Sequence, residues 1–79
     1  MQVILDISMY PFTENYETPI LEFIERLNAY ENVEIETNTL STQIRGDYDQ
    51  VMSILTSEMK LTFQKDLKSL FVIKSFRLV

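Results

Sequence analysis

The sequence predicts an α+β domain of the ferredoxin-like type, a βαββαβ sandwich with a four-stranded antiparallel sheet. Two segments carry apolar residues at helical spacing, and four short segments carry the apolar runs or the period-two alternation of strands. They follow one another as strand, helix, strand, strand, helix, strand. Because crossover connections are right-handed, both helices should lie on one face of the sheet. The 79 residues suffice for one such domain, spanning residues 1–79.

The first predicted strand covers residues 3–9, an apolar run that should end before Pro11 because proline cannot donate to a strand ladder. Thr18 and Pro19 suit an N-cap and the first helical position, so the first helix should run from there to about residue 30. Its apolar face is defined by four residues at helical spacing: Ile20, Phe23, Ile24 and Leu27. This face should pack against the sheet.

Two stretches of alternating apolar and polar residues predict the second and third strands, over residues 33–38 and 40–45. Because so few residues separate them, the two strands should form an antiparallel pair that turns near Asn38. Gly46 should then let the third strand turn into the second helix.

Asp47 and Gln50 resemble a capping box at the start of the second helix. An apolar stripe continues this helix to about residue 65 and comprises Val51, Ile54, Leu55, Met59 and Phe63. Residues 70–76 form the final predicted strand, with Phe71 and Ile73 directed towards the helices.

The composition narrows the classes of function. The chain has no cysteine and no histidine, which removes disulfides, thiolate chemistry and imidazole metal ligands. Its net charge of −5 disfavours a nucleic-acid partner, because such binding depends on clustered Lys and Arg. Residues 1–6 contain no basic residue and include Asp6, which is not typical of a signal peptide. No apolar run approaches the ~18 residues of a membrane span. We therefore expect a cytoplasmic protein with no membrane or nucleic-acid partner.

The sheet face turned away from the helices should be a mixed polar and apolar surface. By alternation it carries Ile4, Asp6, Ser8, Tyr10, Glu34, Glu36, Asn38, Ser41, Gln43, Arg45, Val72 and Lys74. A charge network of Asp6, Arg45 and Lys74 could form there, which is more typical of an interface or a solvated set than of a binding site. A domain of marginal size with such a face is expected to be a homo-oligomer, either a dimer or a tetramer.

Four short segments carry a family resemblance: ISMYPF at residues 7–12, Pro19-Ile20, TLSTQIRG at residues 39–46, and VIK at residues 72–74. In their order and spacing the chain resembles the YkoF-like thiamine and hydroxymethylpyrimidine-binding family over nearly its whole length. It departs from that family at Leu40, where methionine is expected. The resemblance implies a small ferredoxin-like domain that assembles with copies of itself. It also implies that thiamine or hydroxymethylpyrimidine is bound as a ligand, with no other cofactor.

Six residues are the candidate ligand contacts, because their hydroxyl, amide and aromatic groups suit a pyrimidine ring or a cationic thiazolium. They are Ser8, Tyr10, Asn38, Thr39, Ser41 and Thr42. Thr42 is the strongest candidate, since it shares a strand face with Leu40 and Ile44, which should point under the helices. An unpaired hydroxyl there would cost about 1–3 kcal/mol, so either a ligand or a nearby backbone carbonyl should bond to it. We expect no catalytic or metal-binding residues.

The other candidates also have structural alternatives. Ser8 and Ser41 should face away from the helices and be solvated, unless a bulge moves them. Asn38 and Thr39 could simply form the turn between two strands. Tyr10 could stack on a cationic ring, or it could pack at a strand end with its hydroxyl in water.

Three classes of function compete on this sequence. The first is a binding protein for thiamine or its pyrimidine precursor, which sequesters, delivers or senses the ligand without chemistry of its own. The second is an enzyme, but a hydrolase of the acylphosphatase type needs an arginine in the loop of residues 12–17, which has none. The third is a structural or regulatory oligomerisation module without a small ligand.

Overall fold

The computed structural model describes residues 1–65 and 68–79. It contains six elements in chain order: β1 (Gln2–Pro11), α1 (Glu17–Asn28), β2 (Glu34–Thr37), β3 (Thr42–Asp47), α2 (Tyr48–Gln64) and β4 (Ser69–Arg77). The four strands form one antiparallel sheet in the order β2-β3-β1-β4. The predicted ferredoxin-like α+β fold is therefore confirmed.

The hydrophobic core lies between the helices and one face of the sheet. The central strand β1 supplies every second residue from Val3 to Met9, and β3 adds Ile44. The helices cover this face with Phe23, Leu27, Val51, Ile54 and Leu55, all of which are buried. The period-two and helical patterns of the sequence thus correspond to the two sides of one core.

The peptide groups of β1 alternate between its two neighbouring strands. Those of Gln2 and Phe12 bond to residues 78–79 and 68 on the β4 side, whereas the Met1 carbonyl accepts from the Tyr48 N–H on the β3 side. Even-numbered residues of β1 therefore direct their N–H and C=O groups towards β4, and odd-numbered residues direct theirs towards β3.

The strand β1 is longer than predicted, because Pro11 does not end it. Pairing with β4 continues to Pro11 opposite Ser69, whereas pairing with β3 stops at Ile7 opposite Thr42. Pro11 is an odd-numbered residue, so its missing N–H would have pointed to the side where β3 has already ended. The proline therefore removes no ladder hydrogen bond.

Both predicted helix caps are wrong in detail. The helix α1 begins at Glu17 after Tyr16, and the Thr18 hydroxyl bonds to the Asn15 side chain 3.2 Å away instead of capping the helix. Pro19 still lies in the first turn, where a missing N–H has no intrahelical partner to lose. Asp47 is the N-cap residue of α2 but makes no side-chain cap bond; its carboxylate lies 3.7 Å from the N-terminal ammonium.

Gly46 has a different role from the predicted one. It lies inside β3, and no described glycine has a positive φ. A Cβ at this position would lie 3.0 Å from Val33 Cγ1 and 3.3 Å from Val51 Cγ2. The glycine therefore allows the chain before β2 and the first turn of α2 to approach β3 closely, rather than permitting a left-handed turn.

A polar network joins the two helices, which the helical pattern of α2 did not predict. Glu58 and Thr62 are buried, whereas Phe63 of the predicted apolar stripe is exposed. Arg26 donates from Nε to Glu58 Oε1 over 2.6 Å and from Nη2 to the Thr62 hydroxyl over 2.8 Å. The Tyr30 hydroxyl donates to Glu58 Oε2 over 2.8 Å. Both carboxylate oxygens of Glu58 are thus occupied.

Candidate functional site

A cavity of about 100 Å³ lies where the β2–β3 hairpin ends beside α1, and we call it the tip cavity. Its apolar walls come from β1 and from the first half of α1, and they comprise Ile7, Met9, Ile20, Phe23 and Ile24. Its remaining lining comes from β1, the end of β2, the hairpin turn and the start of β3: Ser8, Thr37, Asn38, Thr39, Leu40, Ser41 and Thr42. The cavity is partly open to solvent.

The hairpin turn is shaped by the side chain of Asn38. The Asn38 Oδ1 accepts from the backbone N–H groups of Leu40 and Ser41 over 2.8 and 3.0 Å. The backbone N–H of Asn38 donates to the Ser41 carbonyl. This Asx turn is the alternative that the sequence offered for Asn38. It directs the Leu40 side chain into solvent, where 85% of it is exposed.

Thr42 and Thr37 form a pair of hydroxyls in the lining of the cavity, with Thr37 exposed and Thr42 buried. Thr42 is only 4% exposed, and its Oγ1 lies 3.1 Å from Thr37 Oγ1. The partner of Thr42 within the protein is therefore another hydroxyl and not a backbone carbonyl. Two hydroxyls that share one hydrogen bond keep one O–H and several lone pairs free, so the pair can still donate to a ligand and accept from it.

Sequence reasoning overlooked Thr37, although a signal was present. With the two residues 39 and 40 at the turn, Asn38 pairs with Ser41 and Thr37 with Thr42. Directly opposite residues of an antiparallel pair share one face, so the two threonines had to meet.

Ser8 and Ser41 border the cavity and also reach towards the other sheet face. Ser41 Oγ donates to Asp6 Oδ1 over 2.5 Å, and Ser8 Oγ contacts the Leu40 carbonyl at 3.4 Å. No bulge was needed to bring them to the cavity, because the sheet is interrupted at the hairpin tip. Thr39 completes the lining on the turn itself.

Tyr10 is the one candidate that the structure leaves outside this group. It lies opposite Leu70 on the face turned away from the helices, is half exposed, and does not line the tip cavity. Five of the six candidate residues thus surround one cavity, and Tyr10 lies on another surface.

The tip cavity is electrically neutral. None of the residues that line it carries a charge, and the carboxylate of Asp6 is linked to it only through Ser41. Asp6 also accepts from Gln43 Nε2 at 3.4 Å, and among the described residues it forms no ion pair with Arg45 or Lys74 within 4.0 Å. The charge network considered for this face does not form within the described part of the chain.

Residues 1–65 and 68–79 contain no group of three or more acidic residues arranged to hold a metal ion. Over the same residues, none of the helices is long and apolar enough to cross a membrane.

The face turned away from the helices has the composition that the alternation predicted, and we call it the open face. Its centre pairs Ile4 with Phe76, Asp6 with Lys74 and Ser8 with Val72. The apolar members concentrate on β1 and β4, and Phe76 is 65% exposed. The acidic members Glu34 and Glu36 lie on β2 at the opposite edge.

The fold and the tip cavity together define a small ferredoxin-like domain with a neutral, hydroxyl-lined cavity. No protein-family model matches the chain, and no curated protein matches it. Several solved structures, by contrast, match the chain in fold. A hypothetical protein of Methanocaldococcus jannascii superposes with a TM-score of 0.82 at 18% identity, covering 99% of this chain and 81% of that one.

Two further solved structures have the same fold. A domain of unknown function, DUF77, from Bacillus cereus has a TM-score of 0.79 at 17% identity, with 99% of this chain and 77% of that chain covered. A Thermotoga maritima protein, provisionally named for thiamine biosynthesis or salvage, has a TM-score of 0.76 at 18% identity over 94% of this chain and 83% of that chain. At 17–18% identity, these likenesses show that the chain shares its fold with these proteins.

Proposed function

We propose that this protein binds thiamine or its hydroxymethylpyrimidine moiety in the tip cavity. The observation that carries the proposal is the Thr37–Thr42 hydroxyl pair, in which Thr42 is buried, in the lining of an uncharged cavity whose β1 and α1 walls are apolar. Such a site suits a flat, neutral ring with a few polar atoms, because apolar walls bury the ring and a few polar groups orient it.

The size of the cavity favours one ring over two linked rings. A dry cavity of about 150 Å³ can hold benzene, and the tip cavity has about 100 Å³ with one open side. A single pyrimidine ring would therefore fill the cavity between Phe23 and the hairpin, and its substituents would have to extend into solvent. The thiazolium ring of whole thiamine would lie at the opening, near Asp6 and Ser41, where a carboxylate suits its positive charge.

The name of one structural neighbour supports the same ligand class. The Thermotoga maritima protein, which shares this fold, is provisionally named for thiamine biosynthesis or salvage. The motifs around the tip cavity, at residues 7–12 and 39–46, are also those that resemble the YkoF-like family.

The proposed role is binding without catalysis, for sequestration, delivery or sensing. The tip cavity is lined by hydroxyl, amide and apolar side chains, none of which titrates near neutral pH. The cytoplasmic location stays a prediction from the sequence.

The test is isothermal titration calorimetry of the wild-type protein with hydroxymethylpyrimidine, with thiamine, and with the isolated thiazole moiety as the control ligand. We expect saturable binding of one pyrimidine ligand per chain and much weaker binding of the thiazole alone. A protein that releases no binding heat with either pyrimidine ligand, and whose melting temperature neither ligand raises, would contradict the proposal.

A second candidate function is an oligomerisation module whose partner is another copy of this chain. It is favoured by the apolar residues exposed on β1 and β4 of the open face, and by the size of the domain. The same face has Lys74 on β4 and the acidic residues Glu34 and Glu36 on β2, so two copies packed with β4 over β2 bring opposite charges together. We propose this assembly alongside ligand binding, since the apolar walls of the tip cavity lie on the helical side of the sheet, and only its rim at Ser8 and Ser41 adjoins the open face.

A further inference from the structure

The ladder between β1 and β3 is interrupted beside the tip cavity. Pairing stops at Ile7 opposite Thr42, and the next position that would direct peptide groups towards β3 is Met9, opposite Leu40. The Leu40 N–H is taken by Asn38 Oδ1, and the Leu40 carbonyl is contacted by Ser8 Oγ. The Asx turn thus draws Leu40 away from Met9, although β1 itself continues to Pro11.

This interruption leaves the peptide N–H and C=O of Met9 directed into the gap. In the part of the chain that the structure describes, neither group has a hydrogen-bond partner. Met9 is only 8% exposed and lines the tip cavity. Buried peptide groups without partners are rare in native proteins, since each destabilises the fold.

We propose that the peptide group pair of Met9 is the element that recognises the ligand, which must be a flat neutral heterocycle with a hydrogen-bond donor next to an acceptor. The inference deepens the proposed function and rests on it. In an extended strand the N–H and C=O of one residue point to the same side, and an opposing residue pairs with both. An aminopyrimidine has the complementary edge: its amino group donates to the Met9 carbonyl, and its neighbouring ring nitrogen accepts from the Met9 N–H.

The pair of threonines then acts at a second point of the same ring. Thr42 is the last residue of β3 that pairs with β1, and it is buried in the lining of the cavity, so its hydroxyl is placed to meet a second polar atom of the ring. The ligand would thus bond to β1 at the position where β3 no longer pairs with it.

The test is to replace single peptide N–H groups by ester oxygens through total chemical synthesis, which a chain of 79 residues permits. The first protein has the α-hydroxy analogue at position 9, which removes the Met9 N–H. The matched control has the ester at position 73, where the Ile73 N–H points away from β1 at the free edge of β4. Each ester also makes the carbonyl of the preceding residue a weaker hydrogen-bond acceptor. These carbonyls belong to Ser8 and Val72, which pair with each other, so the two esters should destabilise the sheet to a similar extent.

We expect the ester at position 9 to bind hydroxymethylpyrimidine about tenfold more weakly than the ester at position 73. In an aminopyridine analogue, the ring nitrogen next to the amino group is replaced by C–H. The wild-type protein should bind this analogue about tenfold more weakly than hydroxymethylpyrimidine. The ester at position 9 should not weaken binding of the analogue any further, because both changes remove the same hydrogen bond. Equal affinities of the two esters for hydroxymethylpyrimidine would overturn the inference while leaving the proposed function intact. A wild-type protein that binds no pyrimidine would overturn both.

A second measurement does not depend on refolding of the ester proteins. In an NMR titration of the wild-type protein with hydroxymethylpyrimidine, the Met9 amide proton should move downfield and exchange more slowly with solvent. The Ile73 amide proton should stay unchanged. A Met9 amide signal that does not respond at saturating ligand overturns the inference.

Discussion

At the scale of single residues, Thr42 shows why buried hydroxyls are informative. Its burial followed from the alternation along β3, but its partner Thr37 lies on another strand. The two hydroxyls share a hydrogen bond with each other, so the burial of Thr42 does not by itself require a ligand. The pair also offers a ligand both donor and acceptor capacity.

We predict that Thr42→Val weakens binding of hydroxymethylpyrimidine by about 1–3 kcal/mol, because the ligand loses a buried hydroxyl partner. Calorimetry of the variant checks this. The matched control is Thr56→Val, since the Thr56 hydroxyl bonds only to backbone carbonyls of its own helix, over 3.0 and 3.1 Å. Unchanged affinity in Thr42→Val would remove this residue from the binding site.

At the scale of secondary-structure elements, α1 and α2 are held together by a charged network as well as by apolar contacts. Arg26, Glu58, Thr62 and Tyr30 connect the two helices on the side away from the hairpin. The Arg26 guanidinium also lies 5.7 Å from the centre of the Phe23 ring, whose other neighbour is Phe71 of β4. The position of α1, and with it one wall of the tip cavity, therefore depends on this network.

We predict that Glu58→Gln destabilises the protein by about 2–4 kcal/mol, because it leaves the partly buried Arg26 without a counter-charge. The free energy of unfolding in urea measures the change. Glu22→Gln is the matched control: Glu22 pairs with Lys65 over 2.7 Å, but both side chains are exposed, so little change is expected. Equal stability of the two variants would show that the network contributes no more than a surface ion pair.

The same network predicts how stability depends on pH. The Glu58 carboxylate that accepts from the Tyr30 hydroxyl, together with partial burial, raises the pKa of Tyr30 above its ordinary value. The protonated phenol is thus favoured in the folded state. This contribution is fully present below the unfolded pKa of about 10 and is lost as the pH rises through the folded pKa.

Stability of the wild-type protein should therefore fall more steeply above about pH 10 than that of Tyr30→Phe, which lacks the titrating group. Urea unfolding of both proteins between pH 8 and pH 11 measures the difference. Parallel pH profiles would mean that the hydrogen bond between Tyr30 and Glu58 does not favour the folded state.

At the scale of the whole molecule, one layer of helices covers only one face of the sheet. The open face keeps Phe76, Val72 and Tyr10 exposed, and its edge strand β4 extends over nine residues. Exposed apolar surface on a long edge strand is more typical of an interface than of a free surface.

We predict that sedimentation at micromolar concentration finds a dimer or tetramer, and that Phe76→Glu shifts it to smaller species by placing a charge in the interface. The matched control is Leu21→Glu, because Leu21 is similarly exposed but lies on α1, on the helical side. A stable folded monomer of the wild-type protein at that concentration would refute the oligomer.

The sequence by itself determined the six elements, their order and the two faces of the sheet, because these follow from periodicities among neighbouring residues. It also singled out five residues that the fold gathers around the tip cavity. It misjudged the end of β1 at Pro11 and the reason for Gly46, and it gave no indication that Glu58 is buried. Each of these depends on a partner distant in sequence: the point where β3 ends, the side chains of Val33 and Val51, and Arg26 on the other helix.

The sequence predicted that β2 and β3 pair, but only the tertiary structure decided where the pairing of each strand with its neighbours stops. The gap beside Met9 arises because β1 has two neighbours of unequal length, and no local pattern records that difference. Side-chain periodicity reports burial within one element, whereas hydrogen-bond partners are set by register between elements. The hydroxyls of the tip cavity were therefore visible in the sequence, but the unpaired peptide group beside them was not.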